Sequence, residues 1–250
     1  MEEKTAQVWD EALLANPHAV ADKRRRVQRM FAAIAPSYDI NNRVHSLWID
    51  QWWRRQAVAW AEVKPTDVVV DVACGTGDLA LRFAIAKPRK VIGIDFTHEM
   101  LPLAKRKVNE NRADVSLACG DAMQLPLPDG CADVVSIAFG IRNVSTPEAV
   151  VAEFHRILRP GGRLIILEFS LPKNPVLRGI YNFYFRHVLP RTATLISGDT
   201  TGAYKYLPES VNTFIDRDRM MRIMENTGFI HVEQRPMTCG VCVCYRGLKR

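Results

Sequence analysis

Long apolar runs are missing from this sequence. None of its 250 residues belongs to an uninterrupted hydrophobic stretch near the roughly 20 residues that a membrane-spanning helix needs, so no helical span is expected. Cysteine is sparse and unordered. The six, Cys74, Cys119, Cys131, Cys239, Cys242 and Cys244, have neither the spacing of a disulfide framework nor that of paired zinc knuckles. Cys239-x-x-Cys242 has no second pair. Val241, Val243 and Tyr245 alternate with Cys242, Cys244 and Arg246, the pattern of a strand that uses cysteine as a small buried hydrophobe, and no metal site is expected. Internal repeats and low-complexity tracts are also lacking, which sets aside solenoids. Glu2, Glu3, Asp10 and Glu11 are unlike a secretory or transit leader, so the expected setting is cytoplasmic.

What is present is an ordinary globular composition, 48% hydrophobic, with length enough for a sizeable core. A net charge of +7 adds attraction to anionic surfaces, nucleic acid or lipid. The most informative stretch is Val68-Val69-Val70-Asp71-Val72-Ala73-Cys74-Gly75-Thr76-Gly77-Asp78-Leu79-Ala80. β-Branched residues end in an acid, two glycines follow one residue apart, and Leu79, Ala80 and Phe83 continue at helical spacing. That reads as a strand, a tight turn and a helix start. Further strands are expected at 90–95, 114–118, 132–139 and 163–169, with helices between most of them. The clearest helix covers 146–158, before the stop Pro160-Gly161-Gly162. A last helix over 217–226 and two closing strands complete a doubly wound α/β sheet with helices on both faces.

Such sheets bind ligands beyond the carboxyl ends of their strands, and three successive ends carry acids: Asp71, Asp95 and, in Gly120-Asp121-Ala122, Asp121. Gly75, Gly77 and Ala80 also satisfy the dinucleotide fingerprint G-x-G-x-x-A, which would suit a nicotinamide dehydrogenase. Asp71 would face that cofactor's pyrophosphate at short range. It suits instead S-adenosyl-L-methionine, which carries an ammonium and a sulfonium and no phosphate. Asp95 can accept from the ribose hydroxyls of either cofactor, and Asp121 from the exocyclic amino group of adenine.

Residues 1–62 are expected to form an N-terminal helical cover and 63–250 the α/β part of one compact domain. Val27, Met30, Phe31 and Ile34 make an apolar stripe behind the basic run Lys23-Arg24-Arg25-Arg26, a candidate membrane-facing feature. A second helix over 44–60 carries Trp48, Trp52, Trp53 and Trp60, whose density suggests packing against the main body. After the fifth strand comes an insertion, 171–214, with an apolar and aromatic segment over 176–188. It is expected to line a substrate pocket and a tail exit, with Arg178, Arg186 and Arg191 at lipid headgroups.

Asp71-x-x-x-Gly75-Thr76-Gly77, Asp95, Asp121 and Leu158-Arg159-Pro160-Gly161-Gly162 resemble the class I S-adenosylmethionine-dependent methyltransferases, with their Rossmann-like sheet. Five further stretches resemble, more narrowly, the menaquinone and ubiquinone biosynthesis C-methyltransferases. They are Tyr38-Asp39, Phe139-Gly140-Ile141-Arg142-Asn143-Val144, Leu167-Glu168-Phe169-Ser170, His187-Val188-Leu189-Pro190-Arg191 and Tyr204-Lys205-Tyr206-Leu207-Pro208-Glu209-Ser210. The likeness spans about 27–246.

It implies methyl transfer to a ring carbon of a polyprenylated demethyl-quinol. It also implies that Thr76, Asp95, Asp121 and Ala122 contact the cofactor while Asp71, Gly75 and Gly77 shape its site. Ala138 stands where the family often has serine, so a hydroxyl contact is lost there. A quinol carbon becomes nucleophilic when the neighbouring hydroxyl ionises, so the phenolate must be stabilised and the carbon held in line with the methyl. Arg142 is the candidate electrostatic stabiliser and Asn143 a directional amide, with Tyr38 and His187 candidates to orient substrate or relay a proton. The partners implied are the polyprenyl quinol and transient membrane contact, with a homodimer or quinone-biosynthesis complex left open. Nucleic acid is not expected, because Ala138-Phe139-Gly140 replaces the N-P-P-aromatic motif common in base-amino methylating enzymes. Another small aromatic or lipid substrate, or a non-catalytic subunit, remain the alternatives.

Overall fold

A computed structural model describes residues 8–250. In chain order the elements are α1 (Glu11–Leu14), α2 (Lys23–Ile34), α3 (Tyr38–Ser46), α4 (Ile49–Ala61), β1 (Val68–Val72), α5 (Asp78–Ile85), β2 (Lys90–Asp95), α6 (Met100–Glu110) and β3 (Val115–Cys119). There follow β4 (Ala132–Ala138), α7 (Pro147–Ile157), β5 (Leu158–Phe169), α8 (Pro175–Phe183), α9 (Leu189–Ser197), α10 (Ala203–Asn212), α11 (Arg217–Asn226), β6 (Phe229–Met237) and β7 (Cys242–Lys249). One sheet runs β3-β2-β1-β4-β5-β7-β6. The first five strands are parallel, and β7 lies antiparallel between β5 and β6. Because the chain leaves β1 toward β2 and later returns to its other side as β4, the order reverses there and opens the crevice in which such sheets bind ligands.

Successive residues on the central strands feed opposite faces. Val70, Val135, Leu164 and Ile166 pack beneath Val151 and Phe154 of α7 and Met220 and Met224 of α11. Val69, Val134, Ile165 and Leu167 pack beneath Trp53, Ala57 and Trp60 of α4 and Leu79 and Phe83 of α5. Phe83 and Phe154 are fully buried, and truncating such a ring to alanine costs about 3–5 kcal/mol. A third apolar cluster lies off the sheet and joins Trp9, Met30 and Ile34 to Tyr181, Phe185 and Tyr206, so the segment before β1 and the insertion after β5 pack on each other.

Three expectations need adjusting. The helix expected over 44–60 is two helices, because Leu47 and Trp48 take left-handed backbone (φ 51° and 61°) and turn a corner between α3 and α4. Trp53 and Trp60 are buried by the sheet, whereas Trp48 and Trp52 are exposed. Strand β5 begins at Leu158, ahead of the expected 163, but its register jumps from Leu158 opposite Ala132 to Arg163 opposite Val134, so Pro160-Gly161-Gly162 bulges out of the ladder. The basic run on α2 is largely engaged within the protein. Lys23 is buried and its Nζ donates to the carbonyls of Arg142 (2.8 Å) and Val144 (2.6 Å), pinning α2 over the turn after β4. Arg26 donates to Asp22 and the Val8 carbonyl.

Candidate active site

The turn after β1 is shaped by backbone that few side chains tolerate. Gly75 and Gly77 have φ of 54° and 86°. A Cβ on Gly75 would meet nothing within 4 Å, because that position faces an open cleft. Gly77 instead packs on α6, where a Cβ would sit 3.3 Å from that of Ala104, so it shapes the turn without bordering a cavity. The Gly75 amide donates to Asp95 (2.7 Å), whose second oxygen accepts from the Thr97 amide (2.7 Å). Asp95 therefore braces the turn as well as facing the cleft.

This cleft, about 110 Å³, is lined by Gly75, Asp95, Phe96, Asp121, Ala122 and Asn143 among others. A smaller space of about 20 Å³ adjoins it at Gly75, Ala73 and Tyr38 and reaches Asp71 and Thr76. Asp71 is buried in β1. One oxygen accepts from the Ser136 hydroxyl (2.8 Å) and the other, Oδ2, is buried without a hydrogen bond. Burial pushes its carboxyl up to about 7, against the opposing pull of the Ser136 hydroxyl and of Arg54. Burial likewise raises Asp95, against the two amides it accepts from. An orphaned buried acceptor, a glycine facing open space and acids at three strand ends fit S-adenosyl-L-methionine; Asp71 would hold its amino-acid end, Asp95 its ribose and Asp121 with Ala122 its adenine.

Two neighbours alter that picture. Thr76 is buried and gives its hydroxyl to Asp39 (2.6 Å), within a network that also holds Lys107, Asp78 and Arg43. Thr76 thus ties the glycine turn to α3. Asp121 is bridged by Arg24 (2.8 Å), whose guanidinium lies 4.4 Å from the Phe96 ring centroid. A planar cation therefore occupies the acceptor that the adenine amino group would use.

A larger cavity, about 440 Å³, lies on the other side of Phe31, Tyr38 and Phe139, which line both spaces. Its walls are mostly aromatic and aliphatic, from α2 to α4, β5 and the insertion, with Tyr181, Tyr184, Phe185 and Tyr206 among them. Arg142 enters this wall from the short 3₁₀ turn Ile141–Asn143. It is buried and ion-paired to Glu168 (2.6 Å), while Nε makes no hydrogen bond. Burial works against its charge, but the charge and hydrogen bond of Glu168, together with Tyr206 and Tyr38, outweigh it and hold the guanidinium above its ordinary range. Asn143 faces the cofactor cleft instead. Its amide donates to the Phe139 carbonyl (3.2 Å) and its oxygen accepts from the Tyr206 hydroxyl (3.0 Å).

Tyr38 stands where all three spaces meet. His187 does not belong to the site. It lies exposed on the π-turn Tyr184–Val188, against Phe183 and lining none of the cavities, because two residues, about half a helical turn, separate it from the buried Phe185 and place it on the opposite face. The imidazole at the larger cavity is that of His45, held between the Asn41 carbonyl (2.9 Å) and Thr192 (2.8 Å). Sequence reasoning also missed Ser136, Phe96, Lys23 and the part played by Glu168. Ser136 and Glu168 carried a signal, since a polar residue inside an otherwise apolar buried strand demands a partner.

Comparison with known proteins agrees with this architecture. Among solved structures, an S-adenosylmethionine-dependent methyltransferase from Thermotoga maritima aligns over 90% of this chain and 100% of its own, with TM-score 0.62 and 22% identity. Another from Aquifex aeolicus gives a TM-score of 0.58 at 20% identity, over 79% of this chain and 89% of that one. These likenesses establish the fold. At the sequence level, a demethylmenaquinone methyltransferase from Deinococcus radiodurans is 44% identical over 92% of this chain and 95% of its own. A ubiquinone/menaquinone biosynthesis C-methyltransferase from a Geobacter species is 42% identical over 93% of this chain and 100% of its own. The profile of the ubiE/COQ5 methyltransferase family matches residues 19–249, and the chain belongs to that family.

Proposed function

We propose that this chain methylates a ring carbon of a polyprenylated demethyl-quinol, a naphthoquinol or its benzoquinol counterpart. The observation that carries the reading is the aromatic cavity of about 440 Å³ that shares Phe31, Tyr38 and Phe139 with the carboxylate-lined cleft and contains a buried, incompletely bonded arginine. Bound S-adenosyl-L-methionine supplies an electrophilic methyl group. The names of the Deinococcus and Geobacter relatives cover both quinol classes.

Glu168 fixes Arg142 and lowers the net charge of the pair. What Arg142 offers a substrate oxygen is then chiefly a directed N–H in a dry wall, which favours the phenolate and with it negative charge on the adjacent ring carbon. Burial raises the phenol pKa values of Tyr38, Tyr181 and Tyr206, so at neutral pH they stay protonated, able to donate to a substrate oxygen but not to act as resting bases. Tyr38 orients the ring against the shared wall. Asn143 positions the cofactor side through its Tyr206 contact. Incubation with methyl-labelled S-adenosylmethionine and each reduced demethyl-quinol, followed by mass analysis, tests the reading. One labelled methyl on a ring carbon is expected; label on oxygen, or no transfer to either quinol, contradicts it.

A further inference from the structure

Around the mouth of the larger cavity the protein surface is apolar. Leu47 and Trp48 at the α3–α4 corner, Val176, Ile180 and Phe183 on α8, and Leu195 on α9 are each between 63% and 84% exposed. Single exposed apolar residues are ordinary, but these are patterned. Val176, Ile180 and Phe183 fall at i, i+4 and i+7 on one face of α8, while Tyr181 on the opposite face is buried. The corner residues project from left-handed backbone, a conformation that bulky side chains rarely adopt. Two hydrogen bonds join the segments, since the Tyr184 hydroxyl donates to the His45 carbonyl (3.3 Å) and the His45 ring meets Thr192 of α9 (2.8 Å). Leu47 and Ile49 line the cavity as well as the surface, so its mouth opens within this face.

The charge on this face has one sign. Residues 171–198 contain no aspartate or glutamate, against Lys173, Arg178, Arg186 and Arg191. Arg186 is taken up by Glu209 (3.0 Å), leaving Arg178 and Arg191 exposed on the apolar segment. The single acid of residues 40–61, Asp50, is buried and held by Arg43 and Arg54. We infer that this face docks on an anionic lipid bilayer, with Trp48 and the α8 side chains entering the headgroup boundary and the cavity mouth against the membrane. The inference rests on the quinol reading for its purpose. A cavity of about 440 Å³ accommodates roughly one drug-sized head group, so a long prenyl tail must leave through the mouth into an apolar phase. A second copy of the chain fits less well, because a twofold contact would bring the same uncompensated arginines together.

Co-sedimentation with phosphatidylglycerol–phosphatidylcholine vesicles tests the inference. Binding is expected, weaker on phosphatidylcholine alone and at high salt. Trp48→Glu and Ile180→Glu should each lower partition by tenfold or more. Arg178→Glu and Arg191→Glu should each lower it about fivefold on anionic vesicles alone. All four variants should methylate a tail-less demethyl-quinol in solution at the unmodified rate. Absence of vesicle binding, binding unaffected by Trp48→Glu, or a lipid-free dimer that Trp48→Glu dissociates would overturn the inference. Intact vesicle binding without quinol methylation would instead contradict the proposed function.

Discussion

The two cavities are built from different parts of the chain, and on the proposed reading they recognise different things. The cofactor cleft takes its polar groups from consecutive strand ends, Asp71, Asp95 and Asp121, each fixed by the register of a parallel sheet. The larger cavity takes its walls from helices before β1 and after β5, and its buried charges are two ion-paired arginines, Arg142 with Glu168 and Arg54 with Asp50. A cationic cofactor needs directed acceptors close to rigid backbone. A neutral aromatic ring needs shape, dryness and one place for negative charge to collect.

The variant that breaks this division most severely is Arg142→Ala. Turnover should fall on the order of a hundredfold or more while S-adenosylhomocysteine binds unchanged by calorimetry. The same change leaves Glu168 buried and unpaired, so denaturant unfolding should show a loss of about 3–5 kcal/mol. The double variant Arg142→Gln with Glu168→Gln should recover much of that stability and none of the turnover, which separates the two effects.

Asp71→Asn attacks the other cavity. Cofactor affinity should weaken by roughly ten- to a hundredfold, the scale of a hydrogen bond to a charged group, with little effect on turnover at saturating cofactor. Because burial pushes the Asp71 carboxyl up to about 7, wild-type affinity for the cation should rise as pH passes upward through 7, and the asparagine variant should lose that rise. Without cofactor the native state holds the Asp71 proton between about pH 4 and 7, where the unfolded chain has released it. Asp71 therefore makes stability fall as pH rises through that window. His18, lowered to about 4 by burial and Lys23, slopes the opposite way between about pH 4 and 6.5. Thermal unfolding of wild type and Asp71→Asn over pH 4 to 8 isolates the Asp71 contribution as their difference.

Smaller effects sharpen the contrast. Lys23→Met leaves the Arg142 and Val144 carbonyls without their buried donor, at about 1–3 kcal/mol for each group left unpaired. Turnover should drop before cofactor affinity does. Arg24→Ala should act in the opposite direction, tightening S-adenosylhomocysteine binding by up to about fivefold, since it frees Asp121 from a half-exposed ion pair.

The same division governs what could be read from sequence. β2 falls on the expected residues, β1 and β3 within one, and the acids lie at their ends, because period-two apolar runs and a glycine turn are local signals. The pairing of Arg142 with Glu168 spans 26 residues and two strands, and the Lys23 clamp spans 119, so no local pattern announces either. Lys23 sits in a basic run that resembles a solvated face, and only the docking of α2 turns it inward. His187 failed for the same reason, since apolar composition without a clear period hides which face of the 176–188 segment is inside. Cys242 and Cys244 were legible, because strict alternation in β7 places both in the core.

The central claim is that a methyl group passes from cofactor sulfur to ring carbon where the two spaces meet, beside Phe31, Tyr38 and Phe139. A crystal structure with S-adenosylhomocysteine and a short-tailed demethyl-naphthoquinol bound tests it most directly. The sulfur should point at that meeting place from the cleft, with the quinol ring in the larger cavity and an oxygen toward Arg142. A sulfur directed away from it, or a quinol bound elsewhere, would contradict the account.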